Sequence, residues 1–522
     1  GRGKPGRRHG FHVHDIVQVD LVHDRPWPIK HGAEDLASRV VAHLEEQMAD
    51  DSVPVEPLSE RWHIMQGVQT GADAYTRRIE RRLANEFPDA KAELDKRGAQ
   101  LGSPIMELPA GIERSDPWKS HPELLAQSIE PDAILYGAMD EERYTRLVWI
   151  GRNDDVPEVV VNALEPWKPV LANRAEIARN ESRKWWETAW PRDRATLTRP
   201  KVIALYRTDR GRFALDEVGD WQPSIKTTLT IPKSDDLSVA YLCGLLNSEL
   251  LDLWYGVRGK TPRDVWRNYE PKPMARIPYR HVAEAMPARS DRLDRLQKDL
   301  GARETDGDDD LAQEIAADLL ADPGVAAEAA AALEIYVRAI AANRRALLPL
   351  RDRFPGLDRI VKDPWSAPSV APDRSGFLAD LPASKSVSVR IDGDLSMQVE
   401  VDGVLGKATL EPGALVMRHA RKETARVEGP TEKLAMLVDA LPAKGPIVKD
   451  DLLGASLPKD LGAFEASMVS ATETVNQRLE AGREMVTSAE RLVCALYGLE
   501  EKLTDEVIRH GLARARARED VG

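Results

Sequence analysis

The sequence holds only two cysteines, Cys243 and Cys494, each inside an apolar run (VAYLCGLL and RLVCALYGL). That excludes a disulfide scaffold and a cysteine-built zinc site as organising principles, and it fits a reducing, cytoplasmic compartment. Long hydrophobic runs are also missing. Nothing approaches the ~18 uninterrupted apolar residues of a membrane helix, and the Ala-rich stretch 325–342 is broken by Glu328, Glu334 and Arg338. The basic opening residues Gly1 to Arg8 have no apolar segment behind them, so no secretory leader is expected. There is no initiator Met, which leads to the expectation of a processed or truncated chain. A net charge of -13 excludes a uniformly basic coat but not a local patch, because phosphates respond to nearby cations rather than to the total.

Catalytic signatures are missing as well. No glycine-rich nucleotide loop follows a strand, and no P-loop is present. Pro88-Asp89 leads into a Lys-rich helical stretch without the Glu-x-Lys partner of a nuclease site. His12, His14, His23 and His31 cluster near the start but lack neighbouring cysteines or carboxylates at ligand spacing, so ordinary polar contacts are expected of them. No metal, cofactor or catalytic residue is assigned in this chain.

What is present is a polar globular composition, 42% apolar and 30% charged over 522 residues, enough for about two to four domains. Residues 1–60 read as an N-terminal connector with an amphipathic stretch in which Leu36, Val40 and Leu44 recur at helical spacing. Residues 61–280 hold most of the tryptophan and the strand-like runs RLVWIG, PEVVV, PKVIALY and TTLTIP. Residues 281–362 read as helix with a loop around Thr305–Asp310, and 363–385 as a Pro-rich linker (DPWSAPSVAPDRSGFLADLP). Residues 386–430 alternate with period two and form a small β subdomain, with Asp392-Gly393 and Asp402-Gly403 as candidate hairpin turns. Residues 431–522 return to helix. The fold class is therefore α+β: a mixed, mostly β domain, then helical segments and a small β insert.

Three ordered stretches carry chemistry. In Trp62–Tyr75 (WHIMQGVQTGADAY) a strand runs into a turn; Gly67 and Gly71 permit close backbone approach to a phosphate, and Gln66, Gln69 and Thr70 supply neutral donors and acceptors. Leu164–Tyr206 interleaves cations with Trp185, Trp186 and Trp190; from Arg174 to Arg212 there are 11 Lys and Arg against 5 Asp and Glu. Cations neutralise phosphates there while planar groups stack or pack. Ala240–Tyr255 (AYLCGLLNSELLDLWY) carries an apolar stripe of Leu242, Leu245, Leu246, Leu250 and Leu253, with Asn247 and Ser248 placed to satisfy buried backbone. The basic loop Gly256–Asn268 follows, with Arg258, Lys260, Arg263 and Arg267, and then MARIPY at 274–279.

In this order the stretches resemble the C-terminal target-recognition region of TaqI-like and type IIG adenine-specific DNA methyltransferases of restriction–modification or phage-defence systems. The resemblance covers 61–280, and more loosely a closing helix at 489–499 with Gly498 as its cap. It implies a DNA sequence-recognition portion that positions double-stranded DNA for methylation from S-adenosylmethionine. The catalytic domain would lie upstream or on another chain, with other defence-system subunits as further partners. The family's Pro-Pro-aromatic loop, which grips a flipped adenine, does not occur here; Asp116-Pro117-Trp118 and Asp363-Pro364-Trp365 each have one proline and read as turns. The DNA contacts implied are Gln66, Gln69, Thr70, Arg183, Lys184, Arg192, Arg194, Arg258, Lys260, Arg263 and Arg267. The alternative reading is a non-catalytic scaffold subunit docking a partner on the acidic helices around 290–340.

Overall fold

In a computed structural model, which describes residues 36–180, 182–259, 266–282, 290–302, 309–363, 365–367 and 369–519, the chain is α+β and divides into two units. The first comprises residues up to Arg345 together with Lys362–Ser366 and Arg483 onward; the second comprises Ala346–Val361 and Ala367–Gly482. The N-terminal run FHVHDIVQVDLV and His12, His14, His23 and His31 lie outside the described residues. Among the described residues no helix is long and apolar enough to cross a membrane.

The first unit opens with α1 (Leu36–Ala49), whose Val40, Val41 and Leu44 are buried as the helical spacing predicts. Strands β1 (Val55–Pro57) and β2 (Trp62–Gln66) follow, then α2 (Arg77–Glu86) and α3 (Pro88–Lys96). Next come β3 (Glu107–Pro109), β4 (Leu125–Ile129) and β5 (Tyr144–Val148), an antiparallel sheet in the order β3-β5-β4. The run PEVVV is not a strand but the start of α4 (Glu158–Leu164). Val160 and Leu164 are buried four residues apart while Val159 is exposed, so a helical face wins over the β-branched composition.

The central sheet has the order β2-β9-β6-β8, with β6 (Lys201–Leu205), β8 (Phe213–Asp216) and β9 (Thr227–Pro232); the short β7 (Arg207–Thr208) lies outside it. All five residues of β6 are buried because both faces are covered. Val202 and Ala204 face one core with Phe213 and Leu215, while Ile203 and Leu205 face another with Leu229, Ile231 and Trp221. The first of these cores also receives α5 (Val239–Asn247) and α6 (Glu249–Arg258), separated at Ser248. Every residue of α5 is buried, and the predicted stripe Leu242, Leu245, Leu246, Leu250 and Leu253 lies within this core. Asn247 fastens α5 to β8: its Oδ1 accepts the Phe213 N–H at 3.0 Å and its Nδ2 donates to the Phe213 carbonyl at 2.7 Å. The Ser248 hydroxyl accepts the Leu251 N–H at 3.2 Å and so caps α6. Strands β10 (Arg267–Asn268) and β11 (Pro278–Arg280) pair with β7 and β1, and α7 (Asp291–Ala302), α8 (Asp309–Ala321) and α9 (Ala326–Leu347) complete this part.

The stretch 363–385 does not behave throughout as a solvated linker. Trp365 is 1% exposed in the first unit's core, and Asp363 accepts from the buried Arg210 at 3.2 Å. A Pro-rich composition signals only the lack of regular structure; a tryptophan within it finds burial all the same.

The second unit contains α10 (Arg374–Ala379), β12 (Ser386–Ser388), β13 (Ser396–Val399), β14 (Val404–Glu411), β15 (Ala414–His419), β16 (Lys422–Glu428), α11 (Thr431–Ala440), β17 (Ile447–Val448) and β18 (Ser456–Pro458). Its sheet runs β13-β16-β15-β14-β17. Neither Asp-Gly pair closes a hairpin, since β12 pairs with β18 and β13 with β16. The buried Asp392 carboxylate instead holds the Lys433 ammonium at 2.7 Å. The hairpins turn at Pro412-Gly413 and at Ala420-Arg421.

The chain closes with α12 (Leu461–Leu496) and α13 (Glu501–Glu519). Gly498, at φ 65°, caps α12: the Gly498 N–H reaches the Ala495 carbonyl at 2.9 Å and the Leu499 N–H reaches that of Cys494 at 2.9 Å. Cys243 and Cys494 are both free and buried.

On α12, the buried Glu490 accepts the Glu249 and Leu250 N–H groups at 2.8 and 2.9 Å, holding the first turn of α6. Burial pushes its carboxyl up to about 7, against the opposing pull of those N–H groups. A carboxyl raised above its unfolded value of about 4.3 keeps its proton in the folded state, so its stabilisation is present at low pH and lost as pH rises to 7. Wild-type stability relative to Glu490→Gln is expected to fall by up to about 3 kcal/mol between about pH 4.5 and 7.5, read by urea unfolding. Parallel pH curves for the two proteins would refute the shift.

Candidate nucleic-acid interface

The register of the central sheet gathers the first two stretches at one end. Gln66, the last residue of β2, pairs with Thr228, and Leu205, the last of β6, pairs with Thr227. At this end β2 runs out into the turn 67–75 and β6 into β7, while Lys226 leads into β9. The Trp-rich stretch joins the same end, because Gln69 and Trp190 exchange backbone hydrogen bonds at 3.1 and 2.8 Å. The loop that follows α6 re-enters here too: β10 pairs with β7 immediately after Trp266, and the Arg207 guanidinium sits over the Trp266 ring, 5.7 Å from its centroid.

Arg174 ties the stretches together. It is 3% exposed and donates to the carbonyls of Leu171 at 2.9 Å, Trp185 at 2.7 Å, Glu187 at 2.8 Å and Thr70. Burial lowers its guanidinium to about 9, with the Arg183 charge adding to the effect. Gly71 makes room for it: φ is 79°, and a Cβ there would sit 2.9 Å from Arg174 Cδ. Gly67 also permits a close approach, but of protein rather than phosphate, since a Cβ would lie 2.0 Å from the Pro223 carbonyl oxygen.

These contacts sort the predicted DNA residues. Four have internal employment. Thr70 is fully buried, bonded to Asp73 and accepting the Ala72 N–H at 3.2 Å. Arg183 pairs with Glu187 at 2.5 Å and donates to the Thr188 carbonyl at 2.6 Å. Arg194 binds Asp154 at 2.8 Å and lies over the Trp149 ring at 4.7 Å. Arg267 is buried against Asp252. A cation already desolvated and paired inside the fold cannot turn outward to a base edge without losing that pairing, so Arg183 and Arg267 serve the framework, as does the buried Thr70 hydroxyl. Arg194 is paired with Asp154 while its side chain stays 40% exposed. Arg258 is exposed but held by Glu45 at 2.6 and 2.8 Å. Lys260 and Arg263 lie outside the described residues. Gln66 and Gln69 are half-buried, Lys184 is exposed, and Arg192 is half-buried at φ 62° with Nε 3.4 Å from the Gly67 carbonyl. Among the described residues no carboxylate lies within ion-pair distance of Lys184 or Arg192.

The tryptophans divide in the same way. Trp185 and Trp186 form an edge-to-face pair at 5.3 Å and pack on the core around Tyr75 and Leu164. Trp190 stays 50% exposed and Trp266 41%. Trp266 and Arg207 were not singled out from the sequence; a tryptophan at the end of a basic loop was the available signal.

Behind this end lies a buried ionic cluster. Glu249 receives Arg210, Arg514 at 2.9 Å and His510 at 2.9 Å, and Asp252 receives Arg267, Arg514 at 2.6 Å, the Tyr269 hydroxyl at 3.1 Å and the Gly211 N–H at 3.0 Å. Burial alone would raise both carboxyls. The surrounding guanidiniums overcome it, Arg210 and Arg514 at Glu249 and Arg267 and Arg514 at Asp252, and hold both well below the usual carboxylate range. Each carboxylate of this cluster thus faces more than one cation. All the named strand ladders among the described residues are antiparallel. No group of His, Cys, Asp and Glu among them is disposed to hold a metal ion.

No protein-family model matches the chain, and no curated protein matches it at a significant level.

Proposed function

We propose that this chain is the DNA sequence-recognition portion of a site-specific adenine DNA methyltransferase, acting in restriction–modification or phage defence. It holds duplex DNA for S-adenosylmethionine-dependent methylation performed by a domain upstream or on another chain, in the cytoplasm. The supporting observations are half-exposed Trp190, held to Gln69 beyond the end of β2, half-exposed Trp266 under Arg207 beyond the end of β6, and Lys184 and Arg192 of the Trp-rich stretch, which have no carboxylate within ion-pair distance among the described residues. Cations there without a carboxylate partner suit phosphates, and a glutamine such as Gln66 or Gln69 has the donor–acceptor pair that reads an adenine edge. The basic loop carrying Lys260 and Arg263 leads directly into Trp266.

The scaffold reading has less support. Leu293, Leu296, Leu311, Ile315 and Leu319 of α7 and α8 are buried in the same core as the recognition sheet, which leaves those helices less apolar surface for a partner.

Lys184→Gln combined with Arg192→Gly removes two charges and frees a residue from a left-handed backbone. Affinity for a duplex is expected to drop about 10- to 100-fold, and the slope of log K against log salt to fall by about 2, since each neutralised phosphate contributes about 0.9. Fluorescence anisotropy across a salt series measures both. Unchanged affinity and slope in a folded variant would reject the interface.

A further inference from the structure

We propose that the β15–β16 hairpin of the second unit is an auxiliary contact for the phosphate backbone of duplex DNA. The two-residue loop Ala420-Arg421 joins His419 to Lys422, and both loop residues have positive φ, 48° and 69°. Hairpin loops of this shape favour Asn-Gly, because an alanine or arginine Cβ crowds the backbone in the left-handed region. Closing the hairpin therefore does not explain this pair of residues; a side chain wanted at the tip does.

The tip is also cationic. From Arg418 to Arg426 (RHARKETAR) there are four Lys and Arg against one Glu, in a chain of net charge -13. Arg418 is paired with Glu411 at 2.6 Å and Arg426 with Glu423 at 2.7 Å, which leaves Arg421 and Lys422. Both are exposed, and among the described residues no carboxylate lies within ion-pair distance of either.

The base of the hairpin is rigid. Leu415, Val416, Met417, Ala425 and Val427 are buried, and the register shifts between Met417 and Arg418. The Thr424 hydroxyl bridges this irregularity to the Leu405 and Met417 carbonyls at 2.6 and 3.1 Å. Bulges of this kind re-aim a strand end, and β-ribbons are a known means of reaching duplex DNA. The choice of DNA over an acidic protein rests on the function proposed above.

Single variants of the full chain separate the possibilities. Arg421→Gly is expected to raise Tm by about 2 °C through relief of the backbone. It should also weaken duplex binding about 3- to 10-fold and lower the salt slope by about one. Ala420→Asn is expected to raise Tm and leave binding unchanged. Lys422→Gln, which leaves the loop backbone untouched, is expected to weaken binding alone. Unchanged affinity and slope in both Arg421→Gly and Lys422→Gln overturns the proposal. If Lys184→Gln with Arg192→Gly is then still impaired, the sheet-end reading survives without the hairpin. If only the hairpin variants are impaired, the reverse holds. A hairpin that binds an acidic protein surface instead would give the first of these results.

Discussion

Replacing Arg174 by Ala is expected to destabilise the first unit by about 3–5 kcal/mol, seen as a lower urea midpoint at unchanged m-value. The guanidinium serves carbonyls of Leu171, Thr70, Trp185 and Glu187 from a site 3% exposed to solvent. Alanine leaves those acceptors buried with no replacement donor, each costing about 1–3 kcal/mol before relaxation. Arg174→Lys is expected to recover less than half, because an ammonium is a point donor and cannot span the acceptors on several sides that the planar fork reaches. A loss under about 1 kcal/mol for Arg174→Ala would show that the turn and the Trp-rich stretch hold together without it.

Arg267→Glu is expected to abolish folding of the first unit, not to weaken DNA binding selectively. The substitution would put a third carboxylate beside Glu249 and Asp252 in a site where Arg267 is 7% exposed, and remove one of the cations that keep Asp252 ionised. Leaving one buried charge uncompensated costs about 3–5 kcal/mol, and reversal adds repulsion to that. Arg267→Met, which retains the apolar stem, is expected to cost about half as much because Arg514, Tyr269 and Gly211 still serve Asp252. Soluble expression and thermal unfolding read both costs, and unchanged DNA affinity of the Met variant is expected if Arg267 contacts no DNA. A well-folded Arg267→Glu protein with lost DNA affinity would return Arg267 to the interface.

Much of the architecture was legible because local pattern and burial agree. The spacing of Val40 and Leu44, the paired polar residues Asn247 and Ser248, and the glycine at 498 each do in the fold what their chemistry suggests. Failures arose where composition and context parted. Valines at 159–161 read as strand, but Pro157 and the burial of Val160 and Leu164 set a helix. Asp392 reads as a turn residue and is instead an ion-pair partner.

The candidate site was less legible for a single reason: arginine looks the same in sequence whether it meets a phosphate, a carboxylate or a ring of carbonyls. Arg174, Arg183 and Arg267 are built inward and Arg194 is tied to Asp154, and only tertiary partners separate them from Lys184 and Arg192. Tryptophans divide likewise, Trp185 and Trp186 inside and Trp190 out.

The late return of α12 and α13 has a consequence for synthesis. Glu490 holds residues 249 and 250, and Met485, Val486, Leu492 and Val493 complete a core begun by residues near 40. A ribosome adding about 5–20 residues per second needs roughly 10–50 s to travel from α6 to its cap. For that interval the core that the central sheet shares with α1, α5 and α6 lacks the side chains of α12 and α13 and is only partly covered. Its first owner in the cell is therefore expected to be a chaperone, and the hold ends when the C-terminal helices emerge.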